Sequence, residues 1–173
     1  MVREQIIIKY IKNKDVLDIG SVGQTVAYNL WGFLEKHAAR LTGVDTISSN
    51  NPKIVLGNME NHNFNKQFDV IIAGDVLEHV DNQGLFLVNI KKHLKKDGYF
   101  ILTTPNAKWL TVILKPNPTH TLWHDKYTLS HLLNRFDFKV VSLKYYCGNK
   151  PYYNFFKKIL ALRQQMIVIC QIK

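Results

Sequence analysis

Two aspartates stand where short apolar stretches give way to turns, and their placement predicts a ligand site. Asp18 lies in the stretch 15–19 and is followed at once by Gly20 and Gly23, while Asp45 ends the next apolar stretch. Glycine lets the backbone approach a ligand where a β-carbon would collide. A carboxylate beside the first turn would repel phosphate but suits a cation, and one at the second strand tip can accept both hydroxyls of a ribose. The alternative is an ordinary tight turn and a turn-capping aspartate.

The surrounding pattern predicts strands and helices that would bring these two turns together. A strand at 15–19, a helix from about 24 to 39 and a second strand at 41–45 form one strand–turn–helix–strand unit, which in a parallel sheet opens a crevice at the carboxyl ends of the strands. Only residues 46–52 precede the next apolar stretch, so the usual crossover helix is absent or reduced to one turn. Further strands are predicted at 53–57, 68–74, 99–104, 138–146 and 166–172, and helices at 2–12 on the sheet edge, 82–96, 128–136 with a Thr128 cap, and 151–162.

Three motifs in order resemble those of one enzyme family. The pattern V-L-D-I-G-x-x-G at 16–23 resembles the first motif of class I S-adenosylmethionine-dependent methyltransferases, and 68–80 (F-D-V-I-I-A-G-D-V-L-E-H-V) and 98–106 (G-Y-F-I-L-T-T-P-N) resemble later ones. The resemblance covers residues 13 to about 145. The family's usual D-x-G-x-G-x-G has further glycines where Val22 and Gln24 stand. The loop also fails the G-x-G-x-x-G template of dinucleotide sites, which disfavours the rival interpretation as an NAD-dependent oxidoreductase.

The resemblance implies a fold and a cofactor. The implied fold is α/β, a Rossmann-like, doubly wound and mostly parallel seven-stranded sheet of order 3-2-1-4-5-7-6, with the last strand antiparallel and helices on both faces. The implied cofactor is S-adenosylmethionine. We expect one domain over 1–173, with a lid-like insert at about 107–127 that is rich in aromatic residues.

The resemblance also distributes the cofactor among named residues. Asp18 would serve the methionine end with the glycine turn against it, and Asp45 would hold the ribose. Asn58 stands where the family commonly has an acid that holds the adenine, and Met59 would cover the ring. The predicted cofactor-binding set is Asp18, Gly20, Ser21, Gly23, Asp45, Thr46, Asn58, Met59, Gly74 and Asp75.

Methyl transfer to oxygen needs alignment of donor and acceptor and usually a base. His79 is the predicted catalytic base, because it follows the fourth strand at the methyl end of the cofactor, and His120 in the insert is a second candidate. The alternative is that His79 packs beneath the cofactor and caps a helix. Trp109 and Trp123 can stack on a flat acceptor or pack in the core.

A narrower resemblance raises the question of a metal. Ubiquinone-biosynthesis O-methyltransferases read E-x-x-E-H after the fourth strand and T-H in the lid, and in that subfamily these groups are associated with a divalent cation. Here the stretches are Asp75-x-x-Glu78-His79 and Thr119-His120, so Asp75 departs from the pattern. Because helical spacing does not aim three such side chains at one point, we predict no metal site.

Composition bounds the partners and the location. The 173 residues carry a net charge of +10, which favours non-specific attraction to nucleic acid or anionic lipid, but no nucleic-acid-binding motif accompanies it. No apolar run approaches the ~18 residues of a membrane span. We therefore expect a cytoplasmic protein. The resemblance implies that it is a methyltransferase, and we expect it to act at oxygen on a small or lipophilic acceptor. A non-catalytic cofactor-binding or RNA-associated protein on the same fold is the alternative. The pattern does not indicate an oligomeric state.

Cys147 and Cys170 are not expected to form a disulfide.

Overall fold

The computed structural model describes residues 3–23, 29–114, 117–146 and 164–173. Its seven strands form one sheet of order β3-β2-β1-β4-β5-β7-β6, in which β7 runs antiparallel to both neighbours. The predicted fold class and strand order are therefore confirmed. The strands are β1 Asp15–Ile19, β2 Arg40–Asp45, β3 Ile54–Leu56, β4 Phe68–Gly74, β5 Leu94–Pro105, β6 Phe138–Tyr146 and β7 Gln165–Ile172; the helices are α1 Arg3–Ile11, α2 Leu30–His37, α3 Gln83–His93, α4 Leu110–Leu114 and α5 Lys126–Arg135.

The central strand β4 explains why both faces of the sheet are covered. Its apolar side chains alternate, so that Val70 and Ile72 join one buried cluster while Ile71 and Ala73 join the other. Helices α1 and α2 contribute to the first cluster, and α3 and α5 contribute to the second. A strand that is buried on both faces needs a continuous apolar sequence, as this one has.

Of two predictions about the edges of the sheet, one is wrong and one is confirmed. Helix α1 was expected at the edge, but Ile6, Ile7 and Ile11 are buried in the cluster that holds the central strands β1, β4 and β5. Successive isoleucines give the helix an apolar face wide enough to cover the middle of the sheet, so the edge prediction was wrong. The missing crossover is confirmed, because the described residues 46–53 contain only turns and bends and β3 is three residues long.

Several helix ends lie elsewhere than predicted. Helix α5 begins at Lys126 because Asp125 is its N-cap, and Thr128 is the third helical residue of a capping box rather than the cap. Helix α3 ends at His93, since Leu94 already pairs with Phe68 in the sheet. Asn29 caps α2 at Leu30; the predicted helical residues 24–28, the helix at 151–162 and Cys147 lie outside the described residues.

Two further properties of the described chain bear on the expectations above. None of its described helices has the length and apolar character required to cross a bilayer. Cys170 is free and buried in β7, and burial raises the pKa of its thiol to about 12. The thiol is therefore neutral and packs as an apolar group.

Candidate cofactor and acceptor site

The turn after β1 requires glycine for two reasons. Gly20 has a φ of +77°, and a β-carbon there would lie 2.6 Å from Cγ2 of Val76. The turn is anchored because the N–H of Gly20 donates to the carbonyl of Val44 at 2.9 Å and the hydroxyl of Ser21 donates to the carbonyl of Asp18 at 2.8 Å. Backbone therefore forms this wall of the crevice, as the sequence pattern predicts.

A cavity of about 250 Å³ lies beside this turn, at the carboxyl ends of β1, β2 and β3. It brings together six of the residues predicted from the sequence: Gly20, Asp45, Thr46, Asn58, Met59 and His79. Sequence reasoning missed the other lining residues, which are Ile19, Val44, Gly57, Glu60, Val76, Val80, Asp81 and Phe86. Five of the cofactor-binding candidates and one of the two catalytic candidates thus share one cavity.

Asp45 lies in the wall with both carboxylate oxygens partly engaged. Its Oδ2 accepts the N–H of Val22 at 2.8 Å, and its Oδ1 accepts the N–H of Ile47 at 2.9 Å. A carboxylate offers about four acceptor positions, so each oxygen can accept one more donor. The side chain is thereby held rigidly at the second strand tip, with capacity left for two ribose hydroxyls.

The segment after β3 forms a tight turn that presents Met59 to the cavity. The side-chain oxygen of Asn58 accepts the N–H of Glu60 at 2.9 Å, and its backbone oxygen accepts the N–H of His62 at 2.8 Å. Met59 is buried at 3% exposure and lines the cavity. Asn58 thus shapes the turn, and its side-chain oxygen keeps one acceptor position for a ligand.

Six predicted site residues lie outside the lining of this cavity. Asp18 is fully buried within β1, where it is flanked in the sheet by Gly43 and Ile72. The other five are Ser21, Gly23, Gly74, Asp75 and His120. Their assignment to cofactor or catalysis stays a prediction, as does that of the six residues that line the cavity.

Asp75 follows β4 in a left-handed conformation, with a φ of +56°. Its N–H donates to the carbonyl and to the hydroxyl oxygen of Thr103, each at 3.0 Å, and that hydroxyl donates to its Oδ1 at 3.1 Å. Burial raises the pKa of Asp75, while the positive charge of Arg3 and the Thr103 bond act against that rise. The strained backbone is thus held in place by the neighbouring strand β5.

Glu78 is the most deeply buried acid of the turn that carries His79, at 1% exposure. Burial, followed by the negative charge of Asp75, raises the pKa of its carboxyl to about 8. The backbone carbonyl of Glu78 also accepts two bonds from Thr121, from the N–H at 2.8 Å and from the hydroxyl at 3.1 Å. The insert is therefore fastened to the turn at this point.

His79 is exposed and touches both the cavity and the insert. Its Nδ1 lies 3.1 Å from the carbonyl of Thr119, and its ring meets that of His120 edge-on, with centroids 4.7 Å apart. The His120 ring in turn lies 4.7 Å from that of Trp123. Burial and then the charge of His79 lower the pKa of His120. The insert thus places the His120 ring beside His79 and the Trp123 ring on the far side of His120.

The described residues assemble only part of the metal-binding set that the resemblance implies. Ligand atoms of Glu78, His79 and His120 lie within 4.8 Å of one another, but Asp75 does not join this group in the described part of the chain. Asp75 therefore does not complete that set, and no step of the chemistry below passes through a metal.

Comparison with known families now identifies the class. A family model described as a methyltransferase domain matches residues 7–143. Together with the strand order, this match shows that the chain belongs to the class I S-adenosylmethionine-dependent methyltransferases.

The individual proteins described here share 30% or less of their sequence with this chain. The chain is 30% identical over 109 residues to a ubiquinone biosynthesis O-methyltransferase of Rickettsia bellii. The aligned region covers 56% of this chain and 44% of the relative. It therefore spans less than half the length of that relative. A methyltransferase structure from Archaeoglobus fulgidus superposes with a TM-score of 0.74 at 19% identity over 98% of this chain and 91% of the other. The 1,6-didemethyltoxoflavin-N1-methyltransferase of Burkholderia thailandensis gives 0.67 at 18% identity, over 94% and 72%.

Proposed function

We propose that this protein transfers the methyl group of S-adenosylmethionine to an oxygen atom of a small or lipophilic acceptor, with His79 as the base. The observation that carries the proposal is that Asp45 and His79 line the same cavity. The first is suited to a ribose, and the second is suited to a proton on the acceptor. In the proposed complex the sulfonium supplies an activated methyl group.

The hydrogen bond from His79 determines which nitrogen can act. A carbonyl oxygen only accepts, so the Nδ1 that faces the Thr119 carbonyl carries the hydrogen. In the neutral ring the Nε2 lone pair is then free to accept a proton from an acceptor hydroxyl. Removal of that proton as the oxygen attacks the methyl carbon is general base catalysis, which contributes typically about 10² to 10⁴ in rate.

The insert supports an aromatic or lipophilic acceptor. His120 and Trp123 form a short aromatic row that begins at His79. Aromatic rings pack well against flat, apolar molecules. The name of the Rickettsia bellii relative, a ubiquinone biosynthesis O-methyltransferase, is in keeping with oxygen as the accepting atom.

A turnover screen with matched acceptors tests the proposal. Purified protein is given methyl-labelled S-adenosylmethionine with an alkylated catechol, with the corresponding aromatic amine, or with RNA, and label transfer is measured. We expect transfer to the catechol that is lost in His79→Gln, which keeps a polar side chain but provides no base. Transfer to the amine alone would overturn oxygen as the accepting atom. Absence of transfer to a broad panel, despite cofactor binding, would favour a non-catalytic role.

A further inference from the structure

Helix α3 holds the turn that presents Met59 to the cavity. Asn89, on the buried side of this helix, donates through its single amide nitrogen to the carbonyls of Met59 at 2.9 Å and His62 at 2.8 Å. An amide nitrogen carries two hydrogens, so both are used. The side chain is buried and does not line the cavity.

Two neighbouring contacts hold the same segment to the same helix. His93, one turn after Asn89, donates from Nδ1 to the Asn89 carbonyl and accepts the N–H of Phe64 on Nε2 at 3.1 Å. At the other end, Oε1 of Glu60 accepts the N–H groups of Asp81 and Asn82, each at 3.2 Å, directly before α3 begins. Glu60, Asn89 and His93 thus make three contacts between this segment and α3, and Asn89 makes the central one.

We infer that Asn89 is a positioning residue for the nucleoside end of the cofactor, acting through the carbonyls of Met59 and His62. With those carbonyls turned toward α3, the Met59 side chain remains in the cavity wall beside Asn58. Loss of the donors would remove the Asn89 hydrogen bonds from the buried carbonyl of Met59 and the partly buried carbonyl of His62, so the turn would rearrange and the wall with it. The inference rests on the proposed function, because it assumes that the nucleoside occupies this cavity.

The test measures binding of two probes to the purified full chain by calorimetry. S-adenosylhomocysteine reports the whole cofactor, and methylthioadenosine reports only its nucleoside end. Asn89→Asp keeps the shape but removes both donors, and Asn89→Ala removes the side chain without adding charge. Val88→Asp places the same charge on the exposed face of the same helix and serves as the control.

We expect both Asn89 variants to raise the Kd of both probes by about tenfold or more and by equal factors, since the carbonyls of Met59 and His62 lose the donors that hold the turn. The Val88 variant should bind as the wild type does, and kcat at saturating donor should change less than about threefold in Asn89→Ala. Unchanged Kd values in the Asn89 variants, even with lower thermal stability, would overturn the inference. Failure of the wild type to bind either probe would overturn the proposed function and this inference with it.

Discussion

The Nδ1 of His79 donates to the backbone carbonyl of Thr119 across 3.1 Å, which joins the turn after β4 to the insert. This one bond orients the ring and determines its tautomer. In the neutral ring Nε2 then carries no hydrogen, and His79 lines the same cavity as Asp45.

The first prediction concerns His79 as the base. His79→Gln should lower kcat by about 10²-fold or more, because proton removal in the transition state is lost. The Kd of S-adenosylhomocysteine should change little, since that ligand carries no acceptor proton. Steady-state kinetics and calorimetry separate the two effects. Equal losses in kcat and in cofactor affinity would instead assign His79 to packing beneath the cofactor.

The second prediction concerns the fastening of the insert. The Thr121 hydroxyl faces the carbonyls of Glu78 at 3.1 Å and Val80 at 3.2 Å. Thr121→Val removes this donor without a change of shape and should lower kcat several-fold, because the insert loosens beside His79. Thr121→Ser keeps the hydroxyl and should restore most of the rate. A serine variant as slow as the valine variant would contradict the proposed contribution of the hydroxyl.

The third prediction concerns pH and stability through Glu78. Its folded pKa of about 8 lies above the ordinary value of 4.5, so between these values the folded chain keeps a proton that the unfolded chain has released. The stabilisation is complete below the ordinary value and is lost as pH rises through about 8. The slope is at most about 1.4 kcal/mol per pH unit for one proton.

Urea unfolding at several pH values within that window measures this effect. The free energy of unfolding of the wild type should fall with rising pH, and Glu78→Gln should flatten the curve because the amide does not titrate. Asp75→Asn is the companion variant, since the Asp75 pKa is raised in the same direction. Parallel curves for the wild type and Glu78→Gln would show that Glu78 is not the group responsible.

The fourth prediction concerns metal removal. Because Asp75 does not join Glu78 and His79 at one point in the described chain, chelation should leave the methyl transfer rate unchanged. The check is the initial rate of chelator-treated protein, with and without added divalent cations. A contrary result would be a rate that falls on chelation and recovers when one particular cation is added. If that recovery is absent in His120→Ala, a metal at Glu78, His79 and His120 would be established.

The family resemblance was sufficient for the strand order, and the pattern of strand ends was sufficient for six of the residues that line the cavity. Strand tips are marked by single residues such as Asp45, and parallel pairing brings the tips together whatever the helices do. The seven residues after Asp45 are too few for a crossover helix, so its absence was also predictable.

The contacts of the insert were not predictable in the same way. Residues 117–124 follow no helical or strand period, so no local pattern places Thr119 against His79 or Thr121 against Glu78. Only the narrower family resemblance associated Thr119-His120 with Glu78-His79. The predicted start of α5 was wrong for a local reason. Asp125 and Thr128 can both cap a helix, and only the backbone shows which one does. Asn89 was missed because an amide on a helix carries no periodic signal.

The account depends most on Asp45 holding the ribose of the cofactor in the cavity. The most direct measurement is a calorimetric comparison of S-adenosylhomocysteine with its 2′-deoxy and 3′-deoxy analogues, on the wild type and on Asp45→Asn. We expect the wild type to bind the ribose form about tenfold or more tightly than either analogue, because hydrogen bonds to a charged group contribute about 1.5–3 kcal/mol. Asp45→Asn should lose most of that preference. A wild type that does not discriminate among the three, or a variant that discriminates as the wild type does, would contradict the account.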